Sequence, residues 1–139
     1  MHRVTEMRIA FCRTAQRRDV ENLIKYLDKD EYRFRSGYAK EYTWRRLNAV
    51  ELNGSQRRRL MEIALRYLHK RMNREFWYMC RFIRRIADDA FRYRVADLAE
   101  SKDDLVRKRA SLLHAYLQSA DAGEAAHREF GYECFRAKR

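Results

Sequence analysis

The segment Ser101 to Leu117, SKDDLVRKRASLLHAYL, constrains the fold more than any other stretch of the chain. After a short polar turn, Val106, Ala110, Leu113 and Leu117 recur at i, i+4, i+7 and i+11, so they share one stripe of an α-helix, with Arg107 and His114 just beside it. A helix with one apolar stripe needs a second element to cover it. The chain repeats the pattern twice: Tyr32, Ser36, Ala39 and Thr43, then Phe76, Cys80, Ile83 and Ala87. A small residue holds the second position each time, namely Ser36, Cys80 and Ala110. Ahead of each lies another apolar stripe that can serve as its partner: Val20, Leu23, Ile24, Leu27; then Leu60, Ile63, Ala64, Tyr67, Leu68; then Phe91, Val95, Leu98.

This order predicts three helix pairs, over about 19–48, 55–87 and 89–119, in a single all-α domain of seven or eight helices. With no proline and four glycines in 139 residues, few positions break a helix. Val4, Met7, Ile9, Phe11 and Cys12 suggest a covering helix over about 3–15, and residues 122–139 a last helix with a basic tail. Asp19 is the expected cap of the first pair, and Ser55, after Asn53-Gly54, that of the second. Asp121-Ala122-Gly123 is expected to end the third pair. The expected core contains Leu23, Ile63, Leu68, Cys80, Ile83, Leu98, Val106, Ala110 and Leu113.

Asp104, then Val106-Arg107, then the small Ala110 at the start of a second helix resemble the HEAT repeat, and the likeness extends over roughly residues 16–119. The resemblance implies a HEAT-like α-solenoid, a short right-handed stack of antiparallel helix pairs, with an irregular helix bundle as the alternative architecture. It also implies that the second helices line a concave side. Beside the core stripe these helices carry Arg33 and Lys40, then Trp77, Arg81 and Arg84, then Arg107 and His114.

Charge gives that row a meaning. The chain has 32 Lys plus Arg against 20 Asp plus Glu, a net charge of +12, which attracts polyanions. A basic row with an aromatic in its middle suits a phosphate backbone followed without sequence readout. The first expectation is therefore a non-enzymatic module that binds nucleic acid or another polyanion. The alternative is a protein–protein scaffold for an acidic partner, with Arg35, Tyr38, Tyr42, Trp44 and Arg45 as its interface and Arg57, Arg58 and Arg59 as a further basic turn. A third reading is a relative of the HEAT-like glycosylases that act on alkylated DNA bases. The row offers no Asp for that chemistry, so no catalytic residue is assigned.

No Gly-rich phosphate loop, HExxH or local nucleophile–base set occurs. Cys12, Cys80 and Cys134 are odd in number and widely separated, so free thiols in a reducing compartment are expected, with no metal and no cofactor. No apolar run approaches a membrane span and the start lacks a signal-peptide core, so the expected location is intracellular, cytoplasmic or nucleoid/nuclear, with no membrane partner.

Overall fold

The structure, a computed structural model, describes residues 18–30, 36–70 and 74–131. Among the described residues there are seven helices and no strand: α1 over 18–29, α2 Ser36–Leu47, α3 Gly54–Tyr67, α4 Glu75–Ile86, α5 Asp89–Leu98, α6 Asp104–Gln118 and α7 Ala120–Phe130. The expected covering helix over 3–15, Tyr32, Cys12, Cys134 and the basic tail lie outside the described residues.

Local chemistry sets the helix starts. The cap of α3 is Asn53 rather than Ser55: Gln56 N donates to Asn53 Oδ1 at 2.8 Å while Asn53 N donates to Gln56 Oε1 at 3.0 Å. A capping box needs its glutamine three residues after the cap, which selects Asn53. It satisfies the helix start that Arg57, Arg58 and Arg59 oppose through the macrodipole. Asp88 caps α5 through Phe91 N at 2.8 Å, and Asp103 caps α6 through Leu105 N and Val106 N at 3.0 and 3.1 Å. Asp19 lies within α1, and its carboxylate takes Arg46 at 2.7 Å.

Long-range contacts give the helix directions. Asp19 meets Arg46 and Asp30 meets Lys40, so α1 and α2 run antiparallel. Glu21 accepts from Gln56 and Arg59, and the Leu27 carbonyl accepts from Tyr67 Oη at 2.5 Å, so α1 and α3 run the same way. Glu41 with Arg74, Arg45 with Tyr78, and the Leu47 carbonyl with Arg85 place α2 and α4 side by side in one direction. The Leu117 carbonyl accepts from Arg92 at 2.7 Å, joining α5 to α6. The chain then folds back as α7 along α6 and onto α4, where Trp77 Nε1 donates to the Gly131 carbonyl at 3.0 Å.

Of the expected core, Ile63, Leu68, Cys80, Ile83, Val106, Ala110 and Leu113 are buried, while Leu23 and Leu98 are half-buried against it. The central helix is α4: Phe76, Trp77, Met79, Cys80, Phe82 and Ile83 are all fully buried, because α2, α3 and α6 pack on it and α7 covers Trp77. In α2 the buried face is Lys40, Thr43, Trp44 and Leu47, and Ala39 of the expected stripe is exposed. Thr43 of that stripe is buried, and the buried face extends from it to Trp44, which packs on Tyr67 and Phe82 at 6.1 and 5.5 Å between ring centroids. Lys40 can follow it inward because Asp30 supplies a carboxylate at 2.7 Å.

Asp121-Ala122-Gly123 does not end a helix pair. Ser119 caps α7 through Ala122 N at 3.0 Å, and Gly123 lies buried in its second turn. A Cβ on Gly123 would stand 2.3 Å from the Tyr116 ring, so the glycine is needed for close approach of α7 to α6.

Candidate functional site

Because α2 and α4 run side by side in one direction, two surface stripes come together. On α4, Arg74, Tyr78, Arg81 and Arg85 recur at i, i+4, i+7 and i+11; on α2, Tyr38, Tyr42 and Arg45 recur at i, i+4 and i+7. The guanidinium of Arg74 lies 4.5 Å from the centre of the Tyr38 ring. Two guanidinium groups, Arg45 at 5.6 Å and Arg81 at 5.1 Å, share the Tyr78 ring. Arg46 donates to Tyr42 Oη at 3.4 Å and to Asp19 at 2.7 Å. Arg85 closes the seam by donating to the Leu47 and Val50 carbonyls at 2.9 and 3.1 Å, which satisfies the end of α2. Tyr38 and Tyr42 are 61% and 59% exposed, so two rings one helical turn apart face solvent among arginines.

The expected row of the second helices does not survive as one open surface. Trp77 is fully buried, with its ring 4.4 Å from His127 and 6.0 Å from Tyr116. The correction follows from α7, which covers the side of α4 that helical periodicity leaves polar. Lys40 is buried against Asp30, and Trp44 is buried between Tyr67 and Phe82, so neither can meet a partner. Arg107 closes on its own helix start, donating to the Ser101 carbonyl and Asp104. His114 is half-buried with its Nε2 2.9 Å from Gln118 Nε2. Arg84 is exposed on α4. Arg33 and Arg35 lie outside the described residues. Of the two expected sets, the structure thus joins Arg81 of the row to Tyr38, Tyr42 and Arg45 of the alternative interface.

Arg59 pairs with Glu21 at 2.9 Å, while Arg57 and Arg58 are exposed. Arg57 is also close to the seam: with Arg85, Val50, Glu51, Leu52 and Ile86 it lines an open recess of ≈ 530 Å³ at the end of α2. Arg57 of the basic turn and Arg85 of α4 therefore share this recess.

One turn before Arg85 on α4, Arg81 is held by α7. Its Nε and Nη2 donate to the two Glu124 oxygens at 2.9 and 3.3 Å, and Nη2 lies 3.2 Å from His127 Nδ1. The hydrogen bond from Arg81 holds the Glu124 carboxyl below its ordinary value, against the opposing effect of burial. Burial, then the Arg81 charge, lowers the His127 pKa. Tyr116 Oη donates to Glu124 at 3.2 Å, and burial raises its phenol. Sequence reasoning missed Arg74, Tyr78 and Arg85, for which the i, i+4, i+7, i+11 spacing with Arg81 is the available signal, whereas nothing local in the sequence joins Glu124 or His127 to Arg81.

Among the described residues, Arg45, Arg57, Arg58 and Arg84 make no ion pair. No group of three His, Cys, Asp or Glu among them could hold a metal ion, and no helix is long and apolar enough to cross a membrane. No protein-family model, curated protein or solved structure matches the chain.

Proposed function

We propose that this chain is a non-enzymatic binding module that takes a polyanion, single-stranded nucleic acid first, on the arginine–tyrosine face of α2 and α4. The observation that carries the reading is the pair of exposed rings, Tyr38 and Tyr42, flanked by guanidinium groups on both helices. Exposed rings stack on unpaired bases of any identity, and arginines beside them follow the backbone. The excess of 12 positive charges supplies long-range attraction. The architecture behind it is read as a short right-handed stack of helix pairs. Its support is the shared direction of α1 with α3 and of α2 with α4, together with the antiparallel α1 and α2.

A labelled single-stranded oligonucleotide, followed by fluorescence anisotropy across a salt series, tests the reading. Tyr38→Ala and Tyr42→Ala are each expected to weaken single-strand binding by about 1–3 kcal/mol and duplex binding far less. Arg45→Ala is expected to lower the slope of log K against log salt by about one. No measurable binding near physiological salt, or tyrosine variants that bind as wild type does, would sink it.

The second reading, an acidic protein segment on the same face, draws on one specific observation: tyrosine and arginine side chains are pre-positioned against one another at Tyr38–Arg74 and Tyr78–Arg45. Such rigid aromatic and guanidinium groups are typical interface anchors. Binding to an acidic peptide but not to oligonucleotides would select it.

A further inference from the structure

We propose that Glu124 and His127 of α7 form a proton-operated brake on the arginine–tyrosine face, keeping the N–H groups of Arg81 occupied until His127 is protonated; the brake rests on the polyanion reading above. Arg81 has two sets of neighbours. Toward the face, its guanidinium lies 5.1 Å from the centre of the Tyr78 ring, which it shares with Arg45. Toward α7, two of its N–H groups are taken by the Glu124 carboxylate at 2.9 and 3.3 Å. A carboxylate gripping an arginine through both oxygens occupies the arrangement that a phosphate would use. Glu124 is thus an internal competitor for the ligand's anionic group.

His127 decides how firmly the competitor is held. Arginine has donors only, so its contact at 3.2 Å requires His127 Nδ1 to accept, which places the imidazole proton on Nε2. A proton added to Nδ1 removes that acceptor and sets two cations side by side. Glu124 lies three residues earlier on the same helix, within reach of His127, and becomes the natural partner of the imidazolium. The ring need not leave Trp77, against which it stacks at 4.4 Å and 16°, because a cation over an indole face is itself favourable. The exchange therefore moves Glu124 from Arg81 to His127 and leaves the guanidinium beside the Tyr78 ring with its N–H groups open to an anionic ligand.

The ionisable groups around this exchange, among the described residues, include Arg81, Tyr78 and Cys80 on α4, Tyr116 on α6 and Glu124 on α7. Burial and the Arg81 charge hold the His127 pKa below its ordinary 6.5, and Glu124 acts in the opposite sense. The brake accordingly releases on the acid side of that value. By linkage, a polyanion that draws Arg81 away makes His127 easier to protonate.

The ligand-free experiment follows the Arg81 Nε–Hε resonance by NMR while the His127 ring is titrated, with His127→Gln and Glu124→Gln as the variants. The Arg81 resonance is expected to move with the His127 midpoint in wild type and to stay still in His127→Gln. An Arg81 resonance that ignores the His127 titration overturns the brake. With a labelled single-stranded oligonucleotide at fixed ionic strength, wild type is expected to tighten roughly fivefold more than His127→Gln between about pH 7.5 and about pH 5. Glu124→Gln is expected to bind at the higher pH as tightly as wild type does at the lower. Equal pH profiles for wild type and His127→Gln also overturn it. An oligonucleotide that fails to bind at any pH defeats the polyanion reading, and the Arg81 resonance then decides the brake by itself.

Discussion

Asp30, in the turn after α1, has φ 49°, a left-handed conformation that Asp and Asn tolerate better than most residues. Its carboxylate accepts from Lys40 at 2.7 Å and from Lys70 at 2.9 Å, so one side chain ties α2 and the end of α3 to the turn. Burial pushes this carboxyl upward, and the hydrogen bonds from Lys40 and Lys70 more than offset it, so its pKa is lowered. A lowered acid pKa means that the unfolded chain binds the proton more readily. The stability Asp30 contributes is therefore present above the ordinary carboxyl value of 3.8 and disappears as pH falls through the lowered one. Asp30→Asn keeps the shape and the backbone preference but leaves the buried Lys40 without that charge. It is expected to cost about 3 kcal/mol in urea unfolding near neutral pH, with a shallower loss of stability toward acid than wild type shows. Equal unfolding midpoints for the two proteins would show that the ion pair does not hold the turn.

Among the described helices, α4 is the one packed by neighbours on most of its residues, and α7 supplies part of that cover. Its polar-looking side carries Trp77 and Arg81, which α7 covers through His127 and Glu124. That cover depends on Gly123, where the α7 backbone approaches the Tyr116 ring too closely for any side chain. Tyr116 is itself buried and cannot swing into solvent without losing its hydrogen bond to Glu124. Gly123→Ala would gain helix propensity, worth about 1 kcal/mol, yet must push α7 off α6. Overpacking is expected to win, leaving the protein about 1–3 kcal/mol less stable by thermal or urea denaturation. A stabilised Gly123→Ala variant would mean that α7 docks in another way.

Over the whole molecule, one continuous apolar cluster links Val20 and Ile24 of α1 to Leu113 and Leu117 of α6, with both tryptophans inside it. Trp44 reports on the α2–α3–α4 contacts and Trp77 on the α4–α6–α7 contacts. Unfolding followed by tryptophan fluorescence and by far-ultraviolet circular dichroism is expected to give one coincident transition. Separate midpoints would show helix pairs that melt on their own, as loosely coupled repeats can. Among the described residues, the all-helical character, the order of the helices and the inward stripe of α6 were determined by the sequence itself. Their causes are local: the spacing of Val106, Ala110, Leu113 and Leu117, the absence of proline, and caps such as Asp103. Which of the other faces met solvent was decided only by tertiary structure, because helical periodicity gives a residue's angle around its own axis and not the number of helices covering it. Lys40, Trp44 and Trp77 have the spacing of surface residues and are buried because Asp30, Tyr67 and α7 meet them there. The same holds for the candidate site. The Tyr38–Tyr42–Arg45 stripe was legible on α2, but its union with Tyr78 and Arg81 required α2 and α4 to run side by side, and Glu124 reaches Arg81 across 43 residues of chain that carry no local signal of the contact.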